Sequence, residues 1–299
     1  MIYTVTLNPS LDYTASASTM LPGKTNRTDN EYIVAGGKGL NVSIMLSRLG
    51  LPNTALGLAA GFTGKELLRI LNELGCNCDF IEVKKGFTRI NVKLVSKEVT
   101  EFNGSGITVD NEVISALCER ISKLEKPDTL VLSGSIPNGA DSDIYKRLIL
   151  SAPSGVNIVL DTCGKPLLSA LECKPFLIKP NIDELSDLFH EPIKSIDDIN
   201  FYTKKLQSMG AENVLVSMGE KGAVLLTKQG RKYYCGIPKG ECKNTVGAGD
   251  SMIAGYLYGL DRFSDNEKAL KYAVATGSAT AYSTWLAQKD DVEALYKAI

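Results

Sequence analysis

The sequence predicts an α/β protein: a doubly wound, mostly parallel sheet with helices on both faces and a small β-sheet lid. Three observations carry this. Short apolar runs alternate with helical patterns along most of the 299 residues, which is the rhythm of βαβ units. Those runs are apolar on both faces, as strands covered by helices on both sides must be. Two stretches break the rhythm by alternating polar and apolar residues with no helix between them, the pattern of a sheet with one wet face.

The elements follow in order. Residues 3–8 (YTVTLN), 53–61 (NTALGLAAG), 129–135 (TLVLSGS), 157–162 (NIVLDT), 175–181 (PFLIKPN) and 213–219 (NVLVSMG) read as strands. Between them, helical patterns cover 39–50, 64–75, 110–125, 141–152, 198–210, 249–260 and 266–283. Gly50, Gly75 and Gly210 stand where helices stop, because glycine accepts the left-handed conformation of a C-terminal cap. The irregular stretches are 11–35 and 87–104. In the second, INVKLV, SKE and VTEFN read as a hairpin. The expected division is a large domain of residues 1–10, 36–86 and 105–299 and a lid of 11–35 and 87–104, an antiparallel sheet lying over a cleft.

Composition narrows the function. Lys plus Arg is 33 and Asp plus Glu is 34, a formal net charge of −1. Nucleic acid is therefore not expected as a partner, since phosphate backbones select clustered positive charge. No apolar run approaches the ~18 residues of a membrane span. The opening MIYTVTLNPSLDY lacks a basic region followed by an apolar stretch, so no signal peptide is expected. The seven cysteines are scattered with no C-x-x-C pair, which fits reduced thiols and a cytoplasmic location. The single histidine, His190, falls at an expected helix end. One histidine builds neither a two-histidine metal site nor, without a G-x-S-x-G elbow, a hydrolase triad.

Two segments carry chemistry. In NTVGAGDSMIAG (244–255), Gly247, Ala248 and Gly249 precede a helix that opens with Asp250. Small residues let backbone N–H groups approach a ligand, and a helix N-terminus favours an anion. A carboxylate beside such a nest costs repulsion unless it serves to take a proton from an attacking hydroxyl. The plain alternative is an Asp cap on a Gly-rich turn. In AGGKGLNVSIMLSRLG (35–50), Gly36 and Gly37 let backbone lie against a ligand, Lys38 supplies a cation, and Asn41 offers an amide suited to polyol hydroxyls. Other phosphate motifs are absent: Gly64-Lys65-Glu66 lacks the Walker A spacing, Met252 stands where a Rossmann glycine is required, and there is no H-R-D.

With these motifs the chain resembles the PfkB/ribokinase-like carbohydrate kinases. The early Gly-Gly-Lys-Gly-x-Asn and late Gly-Ala-Gly-Asp segments are similar to that family's two signatures, and TRINVK, TEFNG, LSGSIP, KPNIDE and VSMGEKGA match its intervening landmarks. Within the family, the chain looks most like the bacterial 1-phosphofructokinase type, with tagatose-6-phosphate kinases next. The resemblance implies ATP and Mg²⁺ as cofactors and a role for each matching position. Asp250 would be the base, and the backbone of Gly247, Ala248 and Gly249 would hold the transferring phosphoryl. Asp12, Gly37, Lys38, Asn41, Asn103 and Ser135 would face the sugar. Asn181 and Glu184 would lie near the nucleotide phosphates, with Glu184 reaching Mg²⁺ through water. Ser217, Gly219 and Gly222 would cradle ATP, and Gly277 and Ser278 would border the adenine. Asn244 stands where many members have Asp, Ser105 where Pro is expected, and residues 282–285 give no clear adenine contact.

The lid stretches hold Lys24, Arg27, Arg89 and Lys93. Arg89 and Lys93 lie four apart on a strand and so share a face. Arg89, with Lys24 or Arg27, is expected to grip a phosphate that the substrate already carries; the alternative is a solvated strand edge. The activity implied is phosphorylation of D-fructose 1-phosphate at C6 to give fructose 1,6-bisphosphate. Tagatose 6-phosphate and fructose 6-phosphate stay open as substrates, a non-catalytic sugar-phosphate sensor and a nucleoside or ribose kinase are the other readings, and a homodimer through the lid is expected.

Overall fold

In the computed structural model, which describes residues 1–299, the chain opens with β1 (Ile2–Thr6) and leaves the main sheet for β2 (Ser10–Ser16) and β3 (Asn30–Gly36). It returns through α1 (Lys38–Leu49), β4 (Asn53–Ala60), α2 (Gly61–Glu73) and β5 (Cys78–Val83). A second excursion forms β6 (Arg89–Val95) and β7 (Val99–Asn103). The middle of the chain runs α3 (Asn111–Ile121), β8 (Thr129–Ser133), α4 (Ile144–Ser151), β9 (Asn157–Asp161), α5 (Gly164–Leu171), β10 (Leu177–Ile178), α6 (Ile182–Phe189), α7 (Ile196–Ser208) and β11 (Asn213–Ser217). It ends with β12 (Ala223–Leu226), β13 (Lys232–Cys235), α8 (Ala248–Phe263), α9 (Asn266–Ala281) and α10 (Lys289–Tyr296).

The main sheet has the order β13-β12-β11-β10-β9-β8-β1-β4-β5. Neighbours from β11 to β5 are parallel, and β12 and β13 close one edge antiparallel. Both faces are buried, and the period-2 alternation of a strand divides its side chains between two cores. Leu130 and Leu132 enter one core and Val131 the other; Val214 and Val216 separate from Leu215 in the same way. Helices α1, α2, α8, α9 and α10 cover the first face, and α3 to α7 the second. Gly50 caps α1 at φ 85°, its N–H bonded to Leu46 O and Ser47 O. His190 ends α6 in the same left-handed region, φ 55°.

From β1 the chain builds outward to β4 and β5, then returns to lay β8 on the other side of β1. The strand order therefore reverses between β1 and β8. In open α/β sheets the crevice at that switch, outside the carboxyl ends of the strands, is where ligands bind.

The second sheet has the order β3-β2-β6-β7. β6 and β7 form the expected hairpin. The expectation of a purely antiparallel sheet is corrected, because β2 and β6 pair in parallel, Ser10 opposite Arg89. Both strands start at the large domain, one just after β1 and one just after β5, so both run outward in the same direction.

Candidate active site

A cleft of about 480 Å³ lies at the switch point. Its floor is polar residues that end apolar strands: Thr6 of β1, Ser133 of β8, Ser217 of β11, and Lys179 directly after β10. Asp161, which ends β9, lies behind them, 2% exposed. Gly37, Lys38 and Asn41 enter from the start of α1, Gly247, Gly249 and Asp250 from the start of α8, and Asp12, Arg89 and Asn91 from the lid. Ser135, Asn181 and Glu184 complete the wall.

Asp250 is 6% exposed. Asn41 Nδ2 donates to its Oδ2 at 2.8 Å, so the two signature segments meet across 209 residues. Burial, then the nearby Asp161 carboxylate, push the Asp250 carboxyl up to about 6, against the pull of Lys38, the Asn41 hydrogen bond and Lys179. At neutral pH it is ionised yet within reach of a proton, the condition of a general base. Asp161 moves the opposite way. Burial would raise its pKa, but Lys179 at 3.2 Å and Lys38 at 3.3 Å hold it below the ordinary carboxylate range.

The start of α8 leaves three backbone N–H groups without a partner, though not the three expected. Gly247 has φ 79°, and Ser251 N–H is the first to close a helical bond, to Gly247 O at 2.8 Å. The Ala248 N–H is taken by Thr245 O at 3.2 Å. The free donors are therefore the N–H groups of Gly247, Gly249 and Asp250 rather than that of Ala248. Asn244 shapes the approach: its Oδ1 accepts from Val246 N–H and its Nδ2 donates to Thr284 O, both at 3.1 Å. An Asp there would keep the first bond and lose the second.

At the lid end, Arg89 is half-buried. Its one hydrogen bond runs from Nη1 to Gly104 O at 3.3 Å, and its Nε is buried with no partner. Asn91 donates to Asp12 Oδ1 at 2.8 Å and Ser10 donates to the same oxygen at 2.6 Å, fixing that carboxylate over Gly36, where a Cβ would sit 2.3 Å from it. Asn8 donates to Ser105 O at 3.2 Å, which fastens the loop after β7 without the proline. Burial lowers the pKa of Arg89, with Asp12 opposing.

Lys24 and Arg27 do not line this cleft within the chain, against the expectation that they join Arg89 there. They lie on the exposed turn joining β2 to β3, at the far end of that hairpin. Ser10, beside Arg89, and Ser16, at the turn, are six residues apart, roughly 20 Å of strand. Lys93 faces a second cleft of about 450 Å³ under the lid, together with Asn103 and Trp285, and pairs with Glu101 at 3.4 Å.

A third cleft of about 710 Å³ adjoins the first, sharing Asn181, Ser217 and Gly249 with it. Gly219, Gly222, Gly277 and Ser278 line it together, with Met252, Ile237 and Val274 as apolar walls. Tyr282 lines it too, whereas Thr284 and Trp285 line the cleft under the lid. Gly222 turns at φ 88°, where a Cβ would meet Cys235 O at 1.9 Å. Asn181 and Glu184 first serve each other: Asn181 Oδ1 accepts from Glu184 N–H at 2.7 Å, and Glu184 Oε2 from Asn181 N–H at 2.9 Å. That capping box leaves Glu184 Oε1 toward Lys38, at 3.8 Å. No three His, Cys, Asp or Glu side chains gather into a metal cage. Oε1 makes no hydrogen bond in that box, and a lone carboxylate oxygen of this kind fits Mg²⁺, which binds through one or two carboxylates plus substrate phosphates.

The sequence reading did not single out Thr6, Asn8, Ser10, Asn91, Ser133, Asp161 or Lys179. For Thr6, Ser133, Asp161 and Lys179 the signal was a polar residue closing an apolar strand run, where the carboxyl-end rule places ligands.

A buried carboxylate at the start of a helix, between a sugar-sized polar cleft and an apolar-walled one, on a doubly wound sheet with a lid, is the layout of a kinase of small hydroxylated acceptors. The sequence profile of the pfkB family carbohydrate kinases matches residues 6–287, and the chain belongs to that family, a family of phosphotransferases. It is 43% identical to the 1-phosphofructokinase of Bacillus subtilis (strain 168), over 99% of this chain and 97% of that one. It is 36% identical to the D-tagatose-1-phosphate kinase of Bacillus licheniformis, over 96% and 94%. The structure superposes on phosphofructokinase-2 from Escherichia coli in complex with fructose-6-phosphate with a TM-score of 0.91, at 29% identity, covering 99% of this chain and 98% of the other. No helix is long and apolar enough to cross a membrane.

Proposed function

We propose that the protein transfers the γ-phosphoryl group of ATP to the C6 hydroxyl of D-fructose 1-phosphate, giving fructose 1,6-bisphosphate and ADP. The observation that carries this reading is the half-buried Arg89, whose guanidinium faces the sugar end of the cleft with its Nε unpartnered. A neutral sugar gives no reason to bury an unsatisfied cation. A phosphate on the substrate does, and it places the free hydroxyl at the other end of a short sugar, toward Asp250. The relatives named 1-phosphofructokinase support the same choice.

In this reading Asp12 and Asn41 orient the sugar hydroxyls, Asp250 receives the hydroxyl proton, and the free N–H groups of the nest face the phosphoryl. Lys38 spans Asp161 and Glu184 and, with Lys179, keeps Asp161 ionised beside the phosphates. Glu184 with Asn181 would hold Mg²⁺, which supplies charge neutralisation on the nucleotide phosphates. Positioning and charge stabilisation then account for most of the rate.

The test is a coupled ADP-release assay across fructose 1-phosphate, tagatose 1-phosphate, tagatose 6-phosphate, fructose 6-phosphate, fructose and ribose. Fructose 1-phosphate should give the highest kcat/KM; a higher value for any other acceptor overturns the assignment. Arg89→Ala should lower kcat/KM for fructose 1-phosphate by roughly 10- to 150-fold, since a charged hydrogen bond is worth about 1.5–3 kcal/mol. Activity on plain fructose should hardly change. Arg89→Lys should recover part of the loss, because an ammonium lacks the guanidinium fork. Equal losses on both sugars would mean that Arg89 serves only to hold Gly104.

A homodimer through the lid belongs to the same reading. Register places Ile33, Tyr13, Val92 and Phe102 in one row across the sheet, and Ile33 and Phe102 are 51% and 60% exposed. Sedimentation should give a dimer, and Ile33→Glu with Phe102→Glu a monomer; unchanged mass in the double variant places the contact elsewhere. A cytoplasmic location accords with the seven free cysteines.

A further inference from the structure

We infer that Arg48, at the far end of α1 from the cleft, is a positioning residue that holds the Gly247–Asp250 turn in its working shape through residues 284–287. The inference rests on reading the cleft as a phosphoryl-transfer site, but not on which sugar phosphate accepts.

Arg48 lies in the last turn of α1. It comes seven residues after Asn41, so the two share a face of the helix, about 10 Å apart. Asn41 reaches Asp250 directly. Arg48 meets no acid. Burial lowers the pKa of its guanidinium, and no Asp or Glu opposes this. Its Nη1 donates instead to two successive carbonyls, Leu286 O and Ala287 O, the second at 3.0 Å. Its flat face lies over Trp285, with Cζ 4.8 Å from the ring centroid. A planar, weakly hydrated guanidinium can stack and donate at once, which an ammonium cannot. Withdrawing a cation from water without a counter-charge is costly, and what it secures here is the position of three residues.

Those residues border the Gly247–Asp250 turn on both sides. Thr284 O accepts from Asn244 Nδ2 at 3.1 Å, just before the turn. Ala287 N–H donates to Thr280 Oγ1 at 3.2 Å, and Thr280 donates to Ser251 Oγ at 2.8 Å, just after it. Between these ties Leu286, 4% exposed, packs against Gly247: a Cβ built on that glycine would lie 2.7 Å from Leu286 Cδ2. Gly247 is the left-handed residue on which the turn depends, at φ 79°. If Leu286 shifts, the turn loses its support, and the free N–H groups of Gly247, Gly249 and Asp250 lose their common direction. Lys289 Nζ donates to Leu49 O at 3.0 Å, a second tie that keeps the segment near α1 when Arg48 is replaced.

The competing account is that Arg48 only fastens the C-terminal segment and serves stability. Arg48→Met removes the donors and keeps the bulk. The assay uses the sugar phosphate that the unmodified enzyme turns over fastest, well below the melting temperature. In Arg48→Met, kcat should fall by about 10- to 100-fold, the scale of an ångström's misplacement at the reacting groups. KM for the sugar phosphate and ADP affinity by calorimetry should stay within about threefold. Trp285, the chain's one tryptophan, reports on the segment itself, and acrylamide should quench it more readily in the variant. Leu286→Ala should show the same loss confined to kcat. The double variant should lose little beyond the larger single loss, because the two residues act in one chain of contacts. A lower Tm with kcat within about threefold of wild type makes Arg48 a structural tie only and overturns the inference. Losses that multiply in the double variant overturn it too, as does unchanged quenching beside a full loss of kcat. Should Arg48→Met fail to fold, Arg48→Lys decides: it keeps the cation without the fork, so kcat should fall with KM unmoved, and a wild-type kcat overturns the inference. An unmodified enzyme inactive on every sugar phosphate instead sinks the reading of the cleft, and with it the step that Arg48 would serve.

Discussion

Asp250→Asn is expected to lower turnover by about 10²–10⁴-fold, the span general base catalysis contributes, while ADP affinity stays unchanged. Asn keeps the shape and still accepts the hydrogen bond from Asn41, so the loss isolates the base. In the wild type, kcat/KM should fall on the acid side with a midpoint about 6, where burial and the Asp161 charge have set the Asp250 carboxyl. The residual activity of Asp250→Asn should lose that limb. Turnover within about threefold of wild type would refute the assignment. Stability gives an independent reading. The folded carboxyl titrates about 6 and the unfolded one near 3.8, so the native state favours the protonated form. The penalty for ionising it builds as pH rises between those values and is complete above the higher one. Asp250→Asn should therefore melt above wild type at pH 8 and level with it at pH 3.5. A lower Tm at pH 8 would show that the ionised Asp250 is held by its cations more tightly than it is penalised by burial.

Gly249→Val should cost about 10²–10³-fold in kcat, comparable to losing a donor to developing charge, in a protein that still folds. Gly249 is not among the glycines with left-handed φ, so the position demands space rather than a special backbone angle. That demand is local: a Cβ meets Lys179 Nζ at 3.1 Å and its Cε at 3.7 Å. The branched methyls of Val then fill the space between the lysine and the nest. Gly249→Ala should be intermediate, since the lysine end can shift by a few tenths of an ångström. Gly247 is the position bound by angle, at φ 79° with Leu286 2.7 Å from any Cβ. A Gly249→Val enzyme that keeps wild-type kcat would show that the turn is only a helix entry.

The periodicity of the sequence was enough to recover the α/β class, the main strands and the lid hairpin, because burial on two faces or one writes itself into adjacent residues. It missed β5, α5, α10 and the edge pair β12–β13, and of α6 it marked only the end at His190. These are short or have one exposed side, so too few positions repeat to mark a period. Asp250, the glycines before it, Lys38 and Asn41 could be singled out because they sit in contiguous segments of unusual glycine spacing and charge, and the structure brings them to one cleft. Arg89 could be singled out as an arginine on a lid strand, and the structure turns it into the cleft rather than to a solvated edge.

Other features needed the tertiary structure. The fate of Lys24 and Arg27 depended on which end of the β2–β3 hairpin faces the cleft, and composition does not carry direction. The parallel pairing of β2 with β6 depended on where two distant segments leave the main sheet. Asp161 and Lys179 lie 18 residues apart in sequence, each ending an ordinary apolar strand. Only the parallel packing of β9 beside β10 puts their side chains 3.2 Å apart, at the one edge where neighbouring strands all deliver their polar ends to a single point.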